Sequence, residues 1–137
     1  MDAEVSTVPR PFPSAVDPLF REFVAGLDRG VLTVRRCAAC ARVQWPPRSL
    51  CGTCRAGEFE PHEVEPAGVV YTYTVVHRAF HPWFAERVPY GVAVVDVADS
   101  VRLTGLFEPA GALRCGLGVR GEIRELGGHP GLLWTPR

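Results

Sequence analysis

The stretch that decides the fold is Cys37-Ala38-Ala39-Cys40, followed after ten residues by Cys51-Gly52-Thr53-Cys54. Each Cys-x-x-Cys pair can hold a metal ion from one side of a tight turn. Together the pairs supply four thiolates, the tetrahedral set that structural zinc prefers. The chain has only one further cysteine, Cys115. The spacing therefore predicts a structural Zn²⁺ bound by Cys37, Cys40, Cys51 and Cys54.

Three other uses of these cysteines compete with zinc: disulfides, a redox pair and an iron site. The N-terminus is acidic and lacks the apolar run of a signal peptide, so we expect a reducing cytoplasmic location, which disfavours disulfides. A thioredoxin-like redox pair needs one Cys-x-x-Cys that opens a helix in a βαβ unit. A four-thiolate iron site uses the same ligands and stays open. Because zinc would have all four positions filled by protein, we expect it to stabilise the fold and not to catalyse hydrolysis.

Five arginines crowd the cysteine segment and can offset the net charge of about −2 that zinc with four thiolates carries. They could simply balance that charge, or they could also hold an anionic ligand or partner. They are Arg35, Arg36, Arg42, Arg48 and Arg55.

The length and composition of the chain limit the number of domains and exclude several classes of function. A chain of 137 residues makes one domain or two very small ones. The formal net charge is zero, so no global field draws the protein to nucleic acid or to an anionic membrane. No segment approaches the roughly 20 apolar residues of a membrane span. The chain contains no lysine, which excludes Schiff-base chemistry.

The segment before the cysteines predicts an arm, a helix and a strand. Alternating prolines between Pro9 and Pro13 favour an extended arm. Asp17-Pro18 reads as a helix start, and apolar residues at helical spacing follow over 19–27 until Gly30 ends the helix. That apolar face needs a cover, either this chain's own core or another subunit. A strand over 31–34 enters the cysteine segment, and a polar bridge over 57–66 leaves it.

Beyond residue 67 the pattern changes to β. Five short strands with glycine-rich turns fit an OB-type barrel. The first predicted strand is rich in β-branched and aromatic residues on both sides, so we expect both of its faces to be buried. Asp99-Ser100 is a hairpin-like turn. The predicted strands are 69–77, 91–97, 101–107, 119–124 and 132–134.

The connection between the first two barrel strands is unusually aromatic. Phe80, His81, Trp83, Phe84 and Tyr90 lie within eleven residues. An aromatic cluster in a loop must pack on something. It either folds over the end of its own barrel or forms a recognition surface. The two histidines of the region, at 77 and 81, are not expected to be catalytic, because no spaced acid–base partner is visible.

In the order of these elements the chain resembles a known family, the acyl-CoA-associated zinc-ribbon/OB-fold proteins, also called domain of unknown function thirty-five. The resemblance begins at about residue 17. It departs from the family pattern at Ala41, where glycine is frequent, and at Gly52, where proline is frequent. The segments that carry it are Arg36-Cys37-Ala38-Ala39-Cys40, Pro46-Pro47-Arg48-Ser49-Leu50-Cys51-Gly52-Thr53-Cys54, Gly68-Val69-Val70-Tyr71-Thr72-Tyr73-Thr74-Val75-Val76-His77-Arg78 and Pro89-Tyr90-Gly91-Val92-Ala93-Val94-Val95.

The resemblance implies a mainly β fold with an N-terminal helix, a rubredoxin-like zinc ribbon and a C-terminal five-stranded OB-fold barrel. The expected divisions are an arm and helix at 1–30, the ribbon at 31–66 and the barrel at 67–137. It also implies a non-catalytic subunit that accompanies a thiolase-like enzyme or a hydratase of steroid or lipid metabolism, forms a hetero-oligomer with it and helps to bind the acyl-CoA thioester.

Two sets of residues follow from that reading. Arg48, Arg78 and Arg87 are candidates for the phosphates of CoA, which need cationic donors. The candidate partner contacts are Phe20, Phe23, Phe80, Trp83 and Phe84. Two other functions stay open: a single-stranded nucleic-acid-binding OB module, in which aromatics would stack on bases, and a free-standing acyl-CoA carrier.

Overall fold

The computed structural model describes residues 17–137, and the predicted proline-rich arm lies outside them. A 3₁₀ turn at Pro18–Phe20 leads into helix α1, Arg21–Asp28. The strands are β1 (Leu32–Cys37), β2 (Val43–Gln44), β3 (Phe59–Val64), β4 (Ala67–Val76), β5 (Tyr90–Asp96), β6 (Arg102–Phe107), β7 (Gly118–Leu126) and β8 (His129–Pro136). Further 3₁₀ turns lie at Pro82–Phe84, Ala98–Ser100 and Ala110–Ala112.

The helix begins and ends at the signals that the sequence provides. The Leu19 N–H donates to Asp17 Oδ1 over 3.0 Å, and Gly30 adopts a left-handed φ of 78° beyond the last turn. Phe23 and Leu27 are buried in the core of the chain itself. The apolar face of the helix is therefore covered within this chain, and Phe23 has only 8% of its surface exposed.

The cysteine segment forms a three-stranded antiparallel sheet in the order β2-β1-β3. The polar bridge predicted over 57–66 is wrong, because six of those residues form β3, which pairs with β1 along its whole length from Leu32↔Val64 to Cys37↔Phe59. Val64 is the one buried side chain of β3. Because the side chains of β3 mostly face water, its sequence lacks the alternation of apolar and polar residues that identifies a strand. The strand forms because its backbone pairs with β1.

The five remaining strands form a closed barrel in the order β4-β5-β6-β8-β7, which confirms the predicted OB-type architecture. All pairs are antiparallel except β6 and β8, which run parallel at Phe107↔Trp134. Trp134 is fully buried in the barrel. Its indole occupies space that glycines leave free, since a Cβ on Gly105 would lie 2.9 Å from the ring and one on Gly121 would lie 3.0 Å from it.

Strand β4 differs from its prediction, which had both faces buried. Val70 is buried, but Tyr71 and Tyr73 expose 50% and 40% of their surfaces. The reason is long-range, because β5 pairs with β4 from Val69 to Val76 whereas β7 pairs with only its first three residues. The second half of β4 therefore extends past the part of the barrel that could cover it.

Ribbon and barrel share one hydrophobic core. The buried cluster runs without interruption from Leu27 and Val34, in the helix and ribbon, to Val95 and Trp134 in the barrel. A polar contact joins the same two parts at the surface, where His62 Nε2 of β3 lies 3.0 Å from Asp99 Oδ2 in the β5–β6 turn. Between residues 17 and 137 there is no helix with the length and apolar character needed to span a membrane.

Candidate metal centre

The two Cys-x-x-Cys pairs fold into loops with the same backbone geometry. In the first loop, the Ala41 N–H donates to the Cys37 carbonyl over 2.9 Å. In the second loop, the Arg55 N–H donates to the Cys51 carbonyl over 3.0 Å. The N–H of each first cysteine also donates to a carbonyl five residues later, at 2.9 Å to Arg42 and 2.8 Å in the second loop. Each pair of thiols is thus presented by one tight backbone loop.

Both loops are closed by a residue in the left-handed conformation. The φ angles are 66° at Ala41 and 67° at Arg55. This region is unfavourable for residues that carry a Cβ and is the usual place for glycine. The departure at Ala41 from the family's frequent glycine therefore falls on a position where the backbone itself favours glycine.

The four cysteine sulfurs converge on one point and confirm the predicted metal site. All four ligand atoms lie within 4.8 Å of one another, with Cys37 Sγ 3.5 Å from Cys54 Sγ and Cys40 Sγ 3.7 Å from Cys51 Sγ. A tetrahedral zinc with Zn–S bonds of about 2.3 Å separates its sulfurs by about 3.8 Å. The spacing of the thiols therefore suits Zn²⁺, and the four protein ligands leave it no open position.

Backbone N–H groups point at the sulfurs and shift the pKa values of the thiols. The Cys54 and Thr53 N–H groups lower the pKa of Cys51 to about 6, and the Cys40 N–H is the main cause of the lowered pKa of Cys37. The Ala56 N–H acts in the same direction on Cys54, but hydrogen bonds with the Cys37, Cys40 and Cys51 sulfurs together with burial raise its pKa to about 11. The metal-free site thus favours a thiolate at Cys51 and retains a proton at Cys54, which a metal ion must displace.

Two of the five nearby arginines have structural partners. Arg36 Nη2 lies 2.9 Å from Glu60 Oε1. Arg35 lies 3.2 Å from a helix carboxylate, Glu22 Oε1, and its guanidinium stacks 4.2 Å from the Phe59 ring centre. Arg42, Arg48 and Arg55 are exposed, and none of them forms an ion pair within residues 17–137.

The aromatic loop between β4 and β5 divides into a packed part and an exposed part. Trp83 has only 4% of its surface exposed and contacts Phe84 edge-on, while Phe84 stacks on Tyr90 with ring centres 4.3 Å apart. Phe80 is 81% exposed. Trp83 and Phe84 therefore belong to the packing of this chain, and Phe80 is the aromatic side chain that the loop presents to solvent.

A cavity of about 270 Å³ lies beneath this loop at one end of the barrel. The cavity could not be predicted from the sequence, because its walls combine the loop with residues from the later strands β5 to β8. Its lining includes Trp83, Phe84, Arg87, Tyr90, Leu106 and Leu133.

The remaining candidate residues lie apart in the chain. Arg48 precedes the second cysteine pair in the ribbon, whereas Arg78 and Arg87 belong to the barrel loop, where their guanidinium groups lie 5.6 Å from the Phe80 ring centre and 3.8 Å from that of Trp83. His81 Nδ1 accepts the Trp83 N–H over 3.1 Å, which caps the 3₁₀ turn of the loop. Phe20 is half-buried, with its ring centre 5.9 Å from that of Trp45.

A four-thiolate ribbon that shares its core with a five-stranded barrel defines the class of zinc-ribbon/OB-fold proteins. Residues 24–60 match the family model described as "ChsH2, rubredoxin-like zinc ribbon domain". Residues 61–124 match the model described as "ChsH2, C-terminal OB-fold domain". The chain belongs to this ChsH2-type family, whose members are also called DUF35 proteins.

Curated relatives match parts of the chain. A "DUF35 domain-containing scaffold protein" of Methanocaldococcus jannaschii is 39% identical over 79 residues, which are 57% of this chain and 55% of that protein. A "Probable enoyl-CoA hydratase alpha subunit" of Thermomonospora curvata is 38% identical over 53% of this chain and 22% of its own. "Benzoylsuccinyl-CoA thiolase subunit BbsA" of Thauera aromatica is 27% identical over 58% of this chain and 54% of its own. The chain spans about half the length of these relatives, or less.

Two solved structures share the fold. The chain matches one described as "Ltp2-ChsH2(DUF35) aldolase" with a TM-score of 0.80 and 25% identity, over 93% of this chain and 98% of that one. A DUF35-family protein of unknown function from Sulfolobus solfataricus matches with a TM-score of 0.61 and 21% identity, over 88% of this chain and 87% of that one, which shows a common fold only.

Proposed function

We propose that this chain is a non-catalytic accessory subunit of an acyl-CoA-processing complex, in which it binds a thiolase-like or hydratase subunit. The observation that carries the proposal is the match over almost the whole chain to the ChsH2 (DUF35) chain of an aldolase complex. The names of two relatives, a thiolase subunit and a hydratase subunit, support the same class of partner. We further propose a cytoplasmic hetero-oligomer that acts in steroid or lipid metabolism.

The chemistry of the chain's own residues supports a role without catalysis. Its four cysteines fill the coordination sphere of a zinc ion, so the metal would hold the ribbon together and would not activate water. His81 uses its Nδ1 atom to cap the 3₁₀ turn of the loop. Reaction chemistry is therefore assigned to the partner subunit, and this chain contributes surface and stability.

For the acyl-CoA thioester, we propose that arginines of this chain contact the phosphates. Arg48 is exposed and forms no ion pair within the described part of the chain, so its guanidinium is available for a phosphate. Arg78 and Arg87 lie beside aromatic rings, which restrict where their guanidinium groups point. A guanidinium can donate two parallel hydrogen bonds to a phosphate.

For the protein partner, the exposure of the aromatic residues narrows the expected contacts. Phe80 is the prominent exposed aromatic of the loop, and Phe20 is half-buried at the start of the helix. Phe23, Trp83 and Phe84 already pack within the chain. Exposed aromatic side chains often act as anchors of protein interfaces. We therefore propose Phe80 as the main anchor among the five candidates.

The test is co-expression of the full chain with the products of the neighbouring open reading frames, among which we expect a thiolase-like or hydratase-like protein. Purification through a tag on this chain should yield both proteins in a fixed ratio that survives gel filtration. Turnover of the acyl-CoA thioester should require the partner. Activity of the purified chain alone, or the absence of a complex, would contradict the proposal.

One observation favours the second candidate, a single-stranded nucleic-acid-binding module. Tyr71 and Tyr73 are exposed on the first barrel strand, and the Arg102 guanidinium lies 3.6 Å from the Tyr71 ring centre. Exposed aromatics beside arginine are the elements that OB folds use to stack bases. Salt-dependent binding of a fluorescent single-stranded oligonucleotide, lost on Tyr71→Ala, would support this function.

A further inference from the structure

One edge of β4 has no strand beside it. The Val70 N–H donates to the Leu117 carbonyl over 2.9 Å, and the Val70 carbonyl accepts the Gly116 N–H over 2.8 Å. These are the last contacts on that side. From Tyr71 to Val76 only β5 pairs with the strand, and nothing else within residues 17–137 bonds to its outer edge.

The register identifies which backbone groups face outward. Val70 directs its N–H and carbonyl away from β5, so its partner Val95 directs its own groups away from β4. Since these directions alternate along an antiparallel strand, Val94 faces β4 and bonds to Thr72 opposite it. By the same alternation the N–H and carbonyl groups of Tyr73 and Val75 point to the unpaired edge.

This edge lacks most of the features that normally prevent strand addition. Edge strands are usually protected by charged side chains, proline or a covering loop. Residues 71–76 contain no charged side chain and no proline. The pairing of β4 with β5 shifts register at Tyr71, so this irregularity affects only the start of the edge, where β4 stops pairing with β7. Val69, Tyr71 and Tyr73 expose 43%, 50% and 40% of their surfaces. An uncharged, β-branched and aromatic edge of six residues is a template for another strand.

We propose that the outer edge of β4 from Tyr71 to Val76 is a docking site for an extended, uncharged segment of the partner subunit, which adds to the barrel as a further strand. The inference rests on the proposed function and specifies how the complex is held. Backbone hydrogen bonds to Tyr73 and Val75 would supply affinity, while the neighbouring exposed side chains would select the segment.

The size of the edge favours a distinct partner over a second copy of this chain. Pairing of two β4 edges would engage about six residues on each side, whereas stable interfaces engage roughly 20–30 residues on each side. A larger subunit can reach the edge and also cover Phe80, which is 81% exposed in the loop that follows β4.

Two variants at one position separate the backbone contribution from the side chain. Tyr73→Pro removes the outward N–H and the ring, and it leaves the hydrogen bonds of Thr72 and Thr74 to β5 in place. Tyr73→Thr removes the ring but keeps the N–H and a strand-favouring residue. With the co-expressed partner subunit as the probe, Tyr73→Pro should weaken the complex at least tenfold more than Tyr73→Thr. Equal affinities of the two folded variants would overturn the inference.

Hydrogen exchange of the wild-type chain gives a test that needs no variant. In the complex, the amides of Tyr73 and Val75 should become protected, while those of Thr72 and Thr74 are protected already in the free chain. A complex that forms without new protection at these two amides would refute strand addition and leave the proposed function standing. Failure of the wild-type chain to bind the partner at all would refute both. Protection that arises in the chain alone, together with dimerisation, would replace the partner with a second copy.

Discussion

Replacement of Ala41 by glycine should stabilise the metal-bound protein. At a φ of 66°, a residue with a Cβ is disfavoured by about 1–2 kcal/mol relative to its right-handed conformation, a penalty that glycine does not have. The greater freedom of glycine in the unfolded chain offsets about 0.4–1 kcal/mol of this gain. The expected net increase in the free energy of unfolding is therefore about 0.5–1 kcal/mol.

The neighbouring alanine provides a matched control. Ala39 lies in the same loop and is also exposed, but its φ is not positive. Ala39→Gly should therefore show only the entropic effect and destabilise the protein by about 0.4–1 kcal/mol. Urea unfolding at a fixed excess of zinc measures both variants, and competition with a chelator reports whether the loop of Ala41→Gly binds zinc more tightly. If Ala41→Gly destabilises the protein as much as Ala39→Gly does, the left-handed position is not a source of strain and the reasoning fails.

Three further predictions concern the metal and the aromatic loop. Cys51→Ser should abolish stoichiometric zinc binding and loosen the ribbon, because thiolate ligation contributes on the order of 10 kcal/mol in small zinc domains. Metal analysis measures the zinc content and circular dichroism measures the loss of structure. Full zinc content in the variant would contradict the prediction. Zinc affinity should rise between pH 6 and pH 9, because the pKa of Cys54 is raised to about 11 and its proton competes with the metal throughout that range. Cys51, with its pKa lowered to about 6, is about half deprotonated at pH 6 and adds little to the slope once the pH is well above that value. Chelator competition at several pH values measures the slope, and a flat profile would refute the assignment. Trp83→Ala should cost about 3–5 kcal/mol of stability, whereas Phe80→Ala should change it by less than about 0.5 kcal/mol and weaken the hetero-complex, as urea unfolding and pull-down assays would show.

Local signals in the sequence were sufficient to predict the metal site and most elements. The four cysteines, the Asp17 cap and the Asp99-Ser100 turn each depend on residues close together in the chain. Strand β3 could not be predicted, because its side chains mostly face water and its position is set by pairing with β1.

The exposure of individual side chains also could not be predicted from the sequence. Tyr73 belongs to a segment whose composition is typical of a buried strand, and it is exposed because β7 stops pairing with β4 at Val69. Trp83 and Phe80 are three residues apart in one aromatic loop, yet one is buried and the other is open to solvent. Such differences depend on where distant strands end, which residue types do not encode.

Because the ribbon and the barrel share a continuous core, the amount of folded protein depends on the zinc concentration. Because one buried cluster includes side chains from both parts, neither can lose its packing without exposing apolar surface of the other. Zinc that binds only the folded ribbon therefore adds its binding free energy to the stability of the barrel as well. In a zinc-starved cell, a larger fraction of the chain would be unfolded and open to proteolysis, so the abundance of the folded protein would follow the zinc concentration.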